Sequence, residues 1–298
     1  ILPPTRSSAS KRVTDSADAV ASNAAAAPVM PPPMTATRPA RWSVMGDELG
    51  GALVDEVDDG LQHARIAVLV DAVAEVEDVS RVIDYAVTLP YVDADRIGGI
   101  GICGGGAYII NAALTEKRLK AVAGVTPVNL GRLFREGFSQ FQPIAALEAM
   151  AAQRTREAKG EELQVNELLP LNPEVAVELG LTERDVSEAT EYYKTPRGQQ
   201  PGGATKMLFS HAQKILSWDA FAFAETLMTQ PVMTVIGAKV GAFGGYRDGM
   251  EIYSRSVASK DRQLVELSDY SHYELYDKPE PVGLAMERIK PFFGTHLA

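Results

Sequence analysis

A cluster of glycines around a lone cysteine constrains this 298-residue chain more than any other feature. The turn reads Gly101-Ile102-Cys103-Gly104-Gly105-Gly106, and Cys103 is the chain's single cysteine. The apolar stretch 96–102 before it predicts a buried strand, and residues 107–115 after it predict a helix. Glycine lacks a Cβ, so it tolerates both a close backbone approach and a left-handed conformation. The sequence therefore predicts that Cys103 is displayed on a sharp turn between a strand and a helix.

This turn matches the Gly-x-Ser-x-Gly pattern of a nucleophile elbow, with cysteine in the serine position. A helix that starts at the turn presents free N–H groups and a partial positive charge, which favour the thiolate over the thiol. The backbone N–H of Gly104 is then a candidate donor to an oxyanion. The pattern predicts that Cys103 is a nucleophile.

Two other interpretations of the turn remain open. Gly99-x-Gly101-x-x-Gly104 also matches the phosphate-binding string of dinucleotide sites, but no acidic residue ends a suitable strand about 20 residues on. A buried structural cysteine on a glycine turn is the third interpretation.

Segments with strand and helix patterns alternate along the rest of the chain, which predicts an α/β fold with a mostly parallel sheet. About a hundred residues without a convincing strand predict a helical insertion at about 130–228, placed as a cap over one end of the sheet. The remaining predicted strands are Ile66–Val70, Ala121–Val128, Pro231–Gly237 and Gln263–Leu267, and the later predicted helices include Ile215–Met228 and Tyr246–Ser256.

The first 60 residues differ in composition, with runs such as Ala24–Ala27 and Pro31–Pro33, and predict a disordered tail before a domain over 61–298. The net charge of −10 disfavours nucleic acid or anionic membranes as partners, and no apolar run is long enough to span a bilayer. Four scattered histidines with one cysteine predict no metal site, and no cofactor is expected. We expect a cytoplasmic protein.

His272 is the histidine best placed to serve Cys103. It follows the last predicted strand by five residues, in Ser271-His272-Tyr273-Glu274. Loops at the carboxyl ends of parallel strands share one edge of the sheet, so His272 is expected beside the Cys103 turn. A histidine there can take the thiol proton and later return one to the leaving group. The alternative is a surface histidine without a chemical role.

Two stretches of sequence carry a family resemblance. Leu89-Pro90-Tyr91-Val92-Asp93-Ala94-Asp95-Arg96-Ile97-Gly98, followed by the Cys103 turn, and His272-Tyr273-Glu274-Leu275-Tyr276-Asp277-Lys278-Pro279 resemble the dienelactone-hydrolase-like branch of the α/β-hydrolases, which includes fungal polyketide-transferase-like members. The similarity runs from about Val73 to the C-terminus. It implies an α/β-hydrolase fold with a Cys103 nucleophile and a His272 base.

The chain departs from this family at two points. Relatives place the triad acid after the glycine that ends the penultimate strand, whereas Ala238 follows Gly237 here. Asp248 and Asp219 are candidate substitutes, as is Glu225. Relatives also carry N-terminal strands and a His-Pro-Gly-Gly-like loop that supplies a second oxyanion donor, and residues 1–60 contain nothing similar. One hypothesis is that this region derives from a mispredicted exon or a frameshift, which would leave the N-terminal strands of the sheet missing.

The sequence favours a hydrolase or acyl transferase that acts on an ester, thioester or lactone through a Cys103 nucleophile and a His272 base. The absent acid and absent oxyanion loop keep a second class open, a catalytically impaired relative that binds a ligand or partner. A small acyl compound is the expected partner, and a homodimer is compatible with the sequence. Candidate pocket residues, with ordinary cap packing as their alternative, are Phe134, Phe138, Phe141, Trp218, Phe221 and Phe223.

Overall fold

The computed structural model describes residues 76–136, 143–200 and 205–298. The tail predicted for residues 1–60, its proposed coding origin and the strand predicted at Ile66–Val70 lie outside these ranges and stay predictions. In chain order the elements are α1 (Val76–Ala86), β1 (Ile97–Ile102), α2 (Gly104–Thr115), β2 (Leu119–Val125), α3 (Leu130–Glu136), α4 (Pro143–Ala158), β3 (Val165–Glu167), α5 (Pro173–Glu178), α6 (Arg184–Lys194), β4 (Lys206–Leu208), α7 (Ala212–Ser217), α8 (Ala224–Leu227), β5 (Val232–Lys239), α9 (Gly245–Arg255), β6 (Arg262–Ser271), α10 (Glu274–Asp277) and α11 (Pro279–His296).

The four longer strands form one parallel sheet in the order β1-β2-β5-β6. Helices cover both faces, which is why β1 and β2 are apolar along nearly their whole length. Ile83 of α1 and Ile109 of α2 belong to the core on one face, whereas Ile289 of α11 belongs to the core on the other. The α/β prediction with a mostly parallel sheet is confirmed.

The described part of the predicted insertion lies between β2 and β5 and is mainly helical. Two three-residue strands, β3 and β4, also pair there in an antiparallel ribbon. The sequence did not indicate them because three residues are too short to show an alternating pattern.

The single helix predicted at Ile215–Met228 is interrupted between α7 and α8. Asp219 accepts a hydrogen bond of 3.1 Å from the N–H of Phe221, a local turn that competes with helical pairing. Phe223 then adopts a left-handed conformation with φ of 65° before α8 begins. The prediction of one continuous helix was therefore wrong.

Strand β6 extends four residues beyond its predicted end and stops at Ser271. Ser268 and Asp269 are exposed because β6 is the outer strand of the described sheet, so the extension lacks the apolar pattern that marked residues 263–267. A register shift opposite β5 accommodates it, with Lys239 paired to Ser271. His272 consequently follows the strand at once rather than after five residues.

Candidate active site

Cys103 occupies the turn between β1 and α2 in a left-handed backbone conformation, with φ of 54° and ψ of −124°. Its N–H donates to Val125 O at 3.0 Å, and its own carbonyl accepts from Val128 N–H at 2.9 Å, so the turn is anchored to the end of β2. A Cβ at Gly101 would lie 2.1 Å from the carbonyl oxygen of Gly105. Glycine at position 101 is therefore required for the helix to start this close to the strand.

Helix α2 begins one residue after Cys103, three residues earlier than its predicted start. The first N–H groups of a helix have no intrahelical acceptor, and their dipoles give this end a partial positive charge. The N–H of Gly104 belongs to this group. The partly exposed Cys103 side chain therefore stands at the electropositive end of a twelve-residue helix.

His272 is held in the short loop between β6 and α10 by reciprocal bonds between Ser271 and Glu274. The Ser271 N–H donates to the Glu274 carboxylate at 2.8 Å, and the Glu274 N–H donates to Ser271 Oγ at 3.3 Å. This Ser-x-x-Glu arrangement is a capping box, and it fixes the backbone around the histidine. The sequence Ser271-His272-Tyr273-Glu274 contains the signal for it.

The His272 side chain is buried, with 5% of its surface exposed. Its Nε2 lies 3.3 Å from the hydroxyl of Tyr276, four residues further on. Nδ1 is buried and has no hydrogen-bond partner within the described ranges. A Cβ at Gly245, the first residue of α9, would lie 2.7 Å from Nδ1. Burial lowers the pKa of His272 to about 3.

The Cys103 side chain packs against the buried cluster that contains Tyr276. The structure thus brings Cys103 and His272 to the same group of side chains around Tyr276. Burial raises the pKa of Tyr276 well above its ordinary value, so the phenol stays protonated at neutral pH. Sequence reasoning did not assign Tyr276 a role, although it lies in the quoted histidine motif.

The two acids offered as triad members are engaged elsewhere. Asp248 is fully buried and accepts from the guanidinium of Arg132 at 2.6 and 2.8 Å and from the N–H of Asn129 at 2.7 Å. Asp219 accepts from the side chain of Asn129 at 2.9 Å. Neither forms a hydrogen bond to His272 in the part of the chain that the structure describes.

Glu225, the third substitute, pairs with Arg255 at 2.6 Å. Ala238 lies within β5, at the position where the resemblance places the acid. All three candidate carboxylates therefore form hydrogen bonds with an arginine or an amide rather than with His272.

Helix α6 of the insertion packs against the His272 loop. Its Glu188 accepts from Ser271 Oγ at 2.6 Å, and Arg197, just beyond the helix, binds Asp277 at 2.7 and 2.9 Å and the carbonyl of Tyr273 at 2.9 Å. The aromatic rings that meet at this contact are Tyr192, Tyr193, Tyr273, Tyr276 and Phe243.

These rings differ from the aromatics predicted to line a pocket. Phe221 is fully buried and packs with the core around α2, as does Trp218, whose ring lies 5.1 Å from Tyr108. Phe134 packs against α4 and α7 residues, and Phe223 is 73% exposed. Phe138 and Phe141 lie outside the described residues. The ordinary packing interpretation therefore holds for Phe134, Trp218 and Phe221.

Asp185 of α6 is a second buried ionisable group near the site. It accepts from Phe243 N–H at 2.7 Å, and its other carboxylate oxygen is buried without a hydrogen-bond partner among the described residues. Burial raises the pKa of Asp185 to about 7, and the charges of Glu183 and Glu188 add to the increase. No sequence pattern indicates this group, because an aspartate in the first turn of a helix is ordinary.

The described residues contain no group of three or more histidine, cysteine or acidic side chains that could hold a metal ion. Among the described helices, none combines the length and apolar character needed to cross a bilayer. His296 lies at the end of α11 beside Asp261, at 3.0 Å. His63 and the side chain of His211 lie outside what the structure describes.

Comparisons with known proteins place the chain among similar folds. No family model matches it. It is 35% identical over 221 residues to the uncharacterized protein YcjY of Escherichia coli, covering 73% of this chain and 69% of YcjY. The hypothetical protein PA2218 of Pseudomonas aeruginosa superposes with a TM-score of 0.63 at 25% identity, covering 74% of this chain and 67% of PA2218.

The α/β hydrolase GrgF from Penicillium sp. sh18 superposes with a TM-score of 0.57 at 20% identity, covering 77% of this chain and 73% of GrgF. The parallel strand order, the helices on both faces and the Cys103 turn agree with that architecture. The chain therefore has the α/β-hydrolase fold and belongs to the same protein family as YcjY of Escherichia coli.

Proposed function

We propose that this protein cleaves an ester, thioester or lactone, or passes its acyl group to an acceptor, through a covalent intermediate on Cys103. The observation that carries the proposal is the placement of Cys103. Its left-handed turn puts the thiol at the start of α2, beside the cluster that contains Tyr276, whose hydroxyl lies 3.3 Å from His272 Nε2. A phosphate-binding turn would not need a nucleophile and a base at the same edge of the sheet.

The chemistry follows from this placement. The Cys103 thiolate attacks the carbonyl carbon, and the resulting oxyanion accepts from the Gly104 N–H near the positive end of α2. Collapse of this intermediate breaks the bond to the leaving alcohol or thiol, which takes the proton removed from Cys103. Water then releases the acyl group in a hydrolase, whereas an acceptor hydroxyl or thiol takes it in a transferase.

The state of His272 sets the starting point of the reaction. With a pKa of about 3, the imidazole is uncharged at neutral pH. The resting base is therefore a neutral imidazole, which can accept a proton from Cys103. No described carboxylate stabilises the imidazolium that forms during the reaction. In serine enzymes the loss of that carboxylate's charge costs about 10⁴ in rate, and a thiol needs less help because it ionises more easily.

Within the fold, we place the chain in the dienelactone-hydrolase-like branch. The support is the stretch His272-Tyr273-Glu274-Leu275-Tyr276-Asp277-Lys278-Pro279, together with cysteine at the elbow. The structure adds a physical reason for parts of that stretch. Tyr276 lies 3.3 Å from His272 and in the cluster on which Cys103 packs, and Asp277 anchors the loop to Arg197.

A second candidate function is ligand or partner binding without catalysis. It is favoured by the buried Nδ1 of His272, which lacks an acceptor among the described residues. An impaired enzyme would keep the fold and the turn but would show no chemistry at the thiol.

Burst kinetics with p-nitrophenyl acetate separate the two functions. We expect a burst of p-nitrophenol stoichiometric with enzyme, which is lost in Cys103→Ala and weakened in His272→Ala. His296→Ala is the matched control, because it removes a histidine remote from Cys103 and should leave the burst intact. A parent protein with no burst, and with ordinary thiol reactivity toward iodoacetamide, supports the binding function instead.

A further inference from the structure

Strand β6 is the outer strand of the sheet on the side away from β1, and no described strand pairs with its outer edge. It runs for ten residues without a proline or a glycine. The part from Arg262 to Leu267 pairs with β5 without a register shift. Natural proteins usually shorten, bend or cover such an edge, because its unpaired N–H and C=O groups can bind another strand. The outer edge of β6 is therefore a regular surface for strand pairing.

The backbone groups of every second residue in this part point outward. The carbonyls of Asp261 and Gln263 both accept hydrogen bonds from β5 residues. The direction of the backbone groups alternates along a strand. The N–H and C=O groups of Arg262, Leu264 and Glu266 therefore point away from β5, to the side where no described strand lies.

A groove of about 610 Å³ runs beside this edge. Its lining combines Arg262–Glu266 of β6 with Tyr253 of α9 and Arg288 of α11. The two helices pack on opposite faces of the sheet, since Ile252 of α9 belongs to one core and Ile289 of α11 to the other. Neither helix therefore covers the outer edge of β6 between them.

Two opposite charges lie at equal distances along the strand from Leu264. Arg262 precedes it by two residues, and Glu266 follows it by two. Both residues are exposed, and both side chains are held on the α9 side of the sheet. Arg262 donates to the carbonyl of Tyr253 at 3.0 Å, and Glu266 accepts from the hydroxyl of Tyr246 at 2.9 Å.

We propose that two copies of this chain form a dimer in which their β6 strands pair antiparallel about a twofold axis at Leu264. In that register Arg262 of each copy lies opposite Glu266 of the partner subunit, and the two Leu264 residues lie opposite each other. Each of these opposing pairs exchanges two backbone hydrogen bonds, because all three residues direct their N–H and C=O groups outward. The inference goes beyond the proposed function, since this edge contains none of the reacting groups.

The charges select both the register and the occupant. Opposite charges directly across an antiparallel pair are stabilising, and like charges are destabilising. Moving the axis to Arg262 would place two arginines opposite each other, and moving it to Glu266 would do the same with two glutamates. With the axis at Leu264, the edge is complementary to itself. It therefore fits a second copy better than an unrelated strand.

The first test reverses the two charges singly and then together. We expect Arg262→Glu and Glu266→Arg each to raise the Kd of the dimer in sedimentation equilibrium by about tenfold or more, because each creates two like-charge pairs. The double variant Arg262→Glu with Glu266→Arg restores opposite charges and should return to within about threefold of the parent. Arg154→Glu, which reverses an exposed charge on α4, is the matched control and should leave the Kd unchanged.

The second test locates the axis. Leu264→Cys in the Cys103→Ala background has one cysteine per chain, and oxidation with copper–phenanthroline should link the two subunits covalently. Asp269→Cys in the same background should not link them, because its two copies would lie roughly 30 Å apart in this register. Circular dichroism checks that each variant is folded.

A parent that sediments as a monomer at its highest soluble concentration overturns the proposal. So does a dimer whose Kd is unchanged by both single reversals, or a folded Leu264→Cys variant that stays unlinked. The proposed function is judged separately by the acylation burst on Cys103, so its failure is distinguishable from the failure of the dimer.

Discussion

The Asp248 carboxylate binds the Arg132 guanidinium through two hydrogen bonds of 2.6 and 2.8 Å, in a region where both side chains are buried. Arg132 also donates to the carbonyl of Phe243 at 2.7 Å. This pair joins α3, at the start of the insertion, to α9 and to the loop beside His272. Asp248 therefore has a structural role in holding the insertion against the sheet.

We expect Arg132→Met to destabilise the protein by about 3–5 kcal/mol, because it leaves the buried Asp248 carboxylate unpaired. Urea unfolding followed by circular dichroism measures the loss. Arg247→Met is the control, since Arg247 pairs with Glu136 on the surface and should cost less than about 1 kcal/mol. Similar losses in the two variants would contradict the buried role of Arg132.

Asp185 should make stability fall as pH rises. Its folded-state pKa of about 7 lies above the ordinary value of 3.8, so the folded state holds a proton that the unfolded state releases between these values. Stability is therefore retained below pH 4 and lost progressively up to pH 7, by about 4 kcal/mol at most. Asp185→Asn removes this loss and should be more stable than the parent at pH 8.

Urea unfolding at pH 4.5 and pH 8 tests the Asp185 prediction. The stabilisation by Asp185→Asn should be large at pH 8 and small at pH 4.5. Asp269→Asn, which changes an exposed acid, is the matched control. Equal effects of Asp185→Asn at both pH values would show that the carboxylate is not destabilised in the folded protein.

His272 should destabilise the protein in acid. Its folded-state pKa of about 3 lies below the ordinary 6.5, so the unfolded state takes up a proton that the folded state refuses. Stability is complete above pH 6.5 and falls as pH decreases toward 3, with a loss of about 2–3 kcal/mol at pH 4.5. His272→Gln cannot protonate, so its stability should fall less between pH 7.5 and 4.5. His296→Gln should follow the parent in the same unfolding measurements, and a parental slope for His272→Gln would refute the prediction.

Gly245→Ala should disturb His272 directly. The added methyl would lie 2.7 Å from Nδ1 and 3.3 Å from the carbonyl of Thr126, closer than van der Waals contact allows. We expect a loss of about 1–3 kcal/mol and a slower acylation burst, because the imidazole must move. Gly283→Ala is the control, since that position in α11 is open and alanine should stabilise the helix by about 0.5–1 kcal/mol. An undisturbed burst in Gly245→Ala would mean that His272 does not need its present position.

The sequence was informative where local pattern and chain order decide the structure. The glycines at 101 and 104–106 predicted the sharp turn that displays Cys103. The structure has this turn between a buried strand and a helix. Loops at the carboxyl ends of parallel strands share one edge of the sheet, so His272 was expected beside the Cys103 turn. Both rest on short-range signals, namely glycine conformation and the apolar pattern of buried strands.

The rest of the site depends on contacts between distant segments. Asp248 lies 116 residues from Arg132, and no local pattern indicates that this arginine would bind the carboxylate first. The aromatic cluster likewise joins α6 to the His272 loop, although no local pattern around Tyr192 and Tyr193 indicates this contact. Only the tertiary structure determines which of several distant side chains binds a given carboxylate or aromatic ring.

Arg197 bears on how the molecule opens. Its two bonds to Asp277 and its bond to the carbonyl of Tyr273 cross from the end of α6 to the segment that carries His272 and Tyr276. These elements should therefore open together as one cooperative unit in native-state hydrogen exchange. Amides in 186–194 and 273–278 would then share one opening free energy, and Arg197→Ala would lower that value for both segments while leaving β2 unchanged. His272 would in this sense belong to the same folding unit as α6 of the insertion, and its position would change whenever that unit opens.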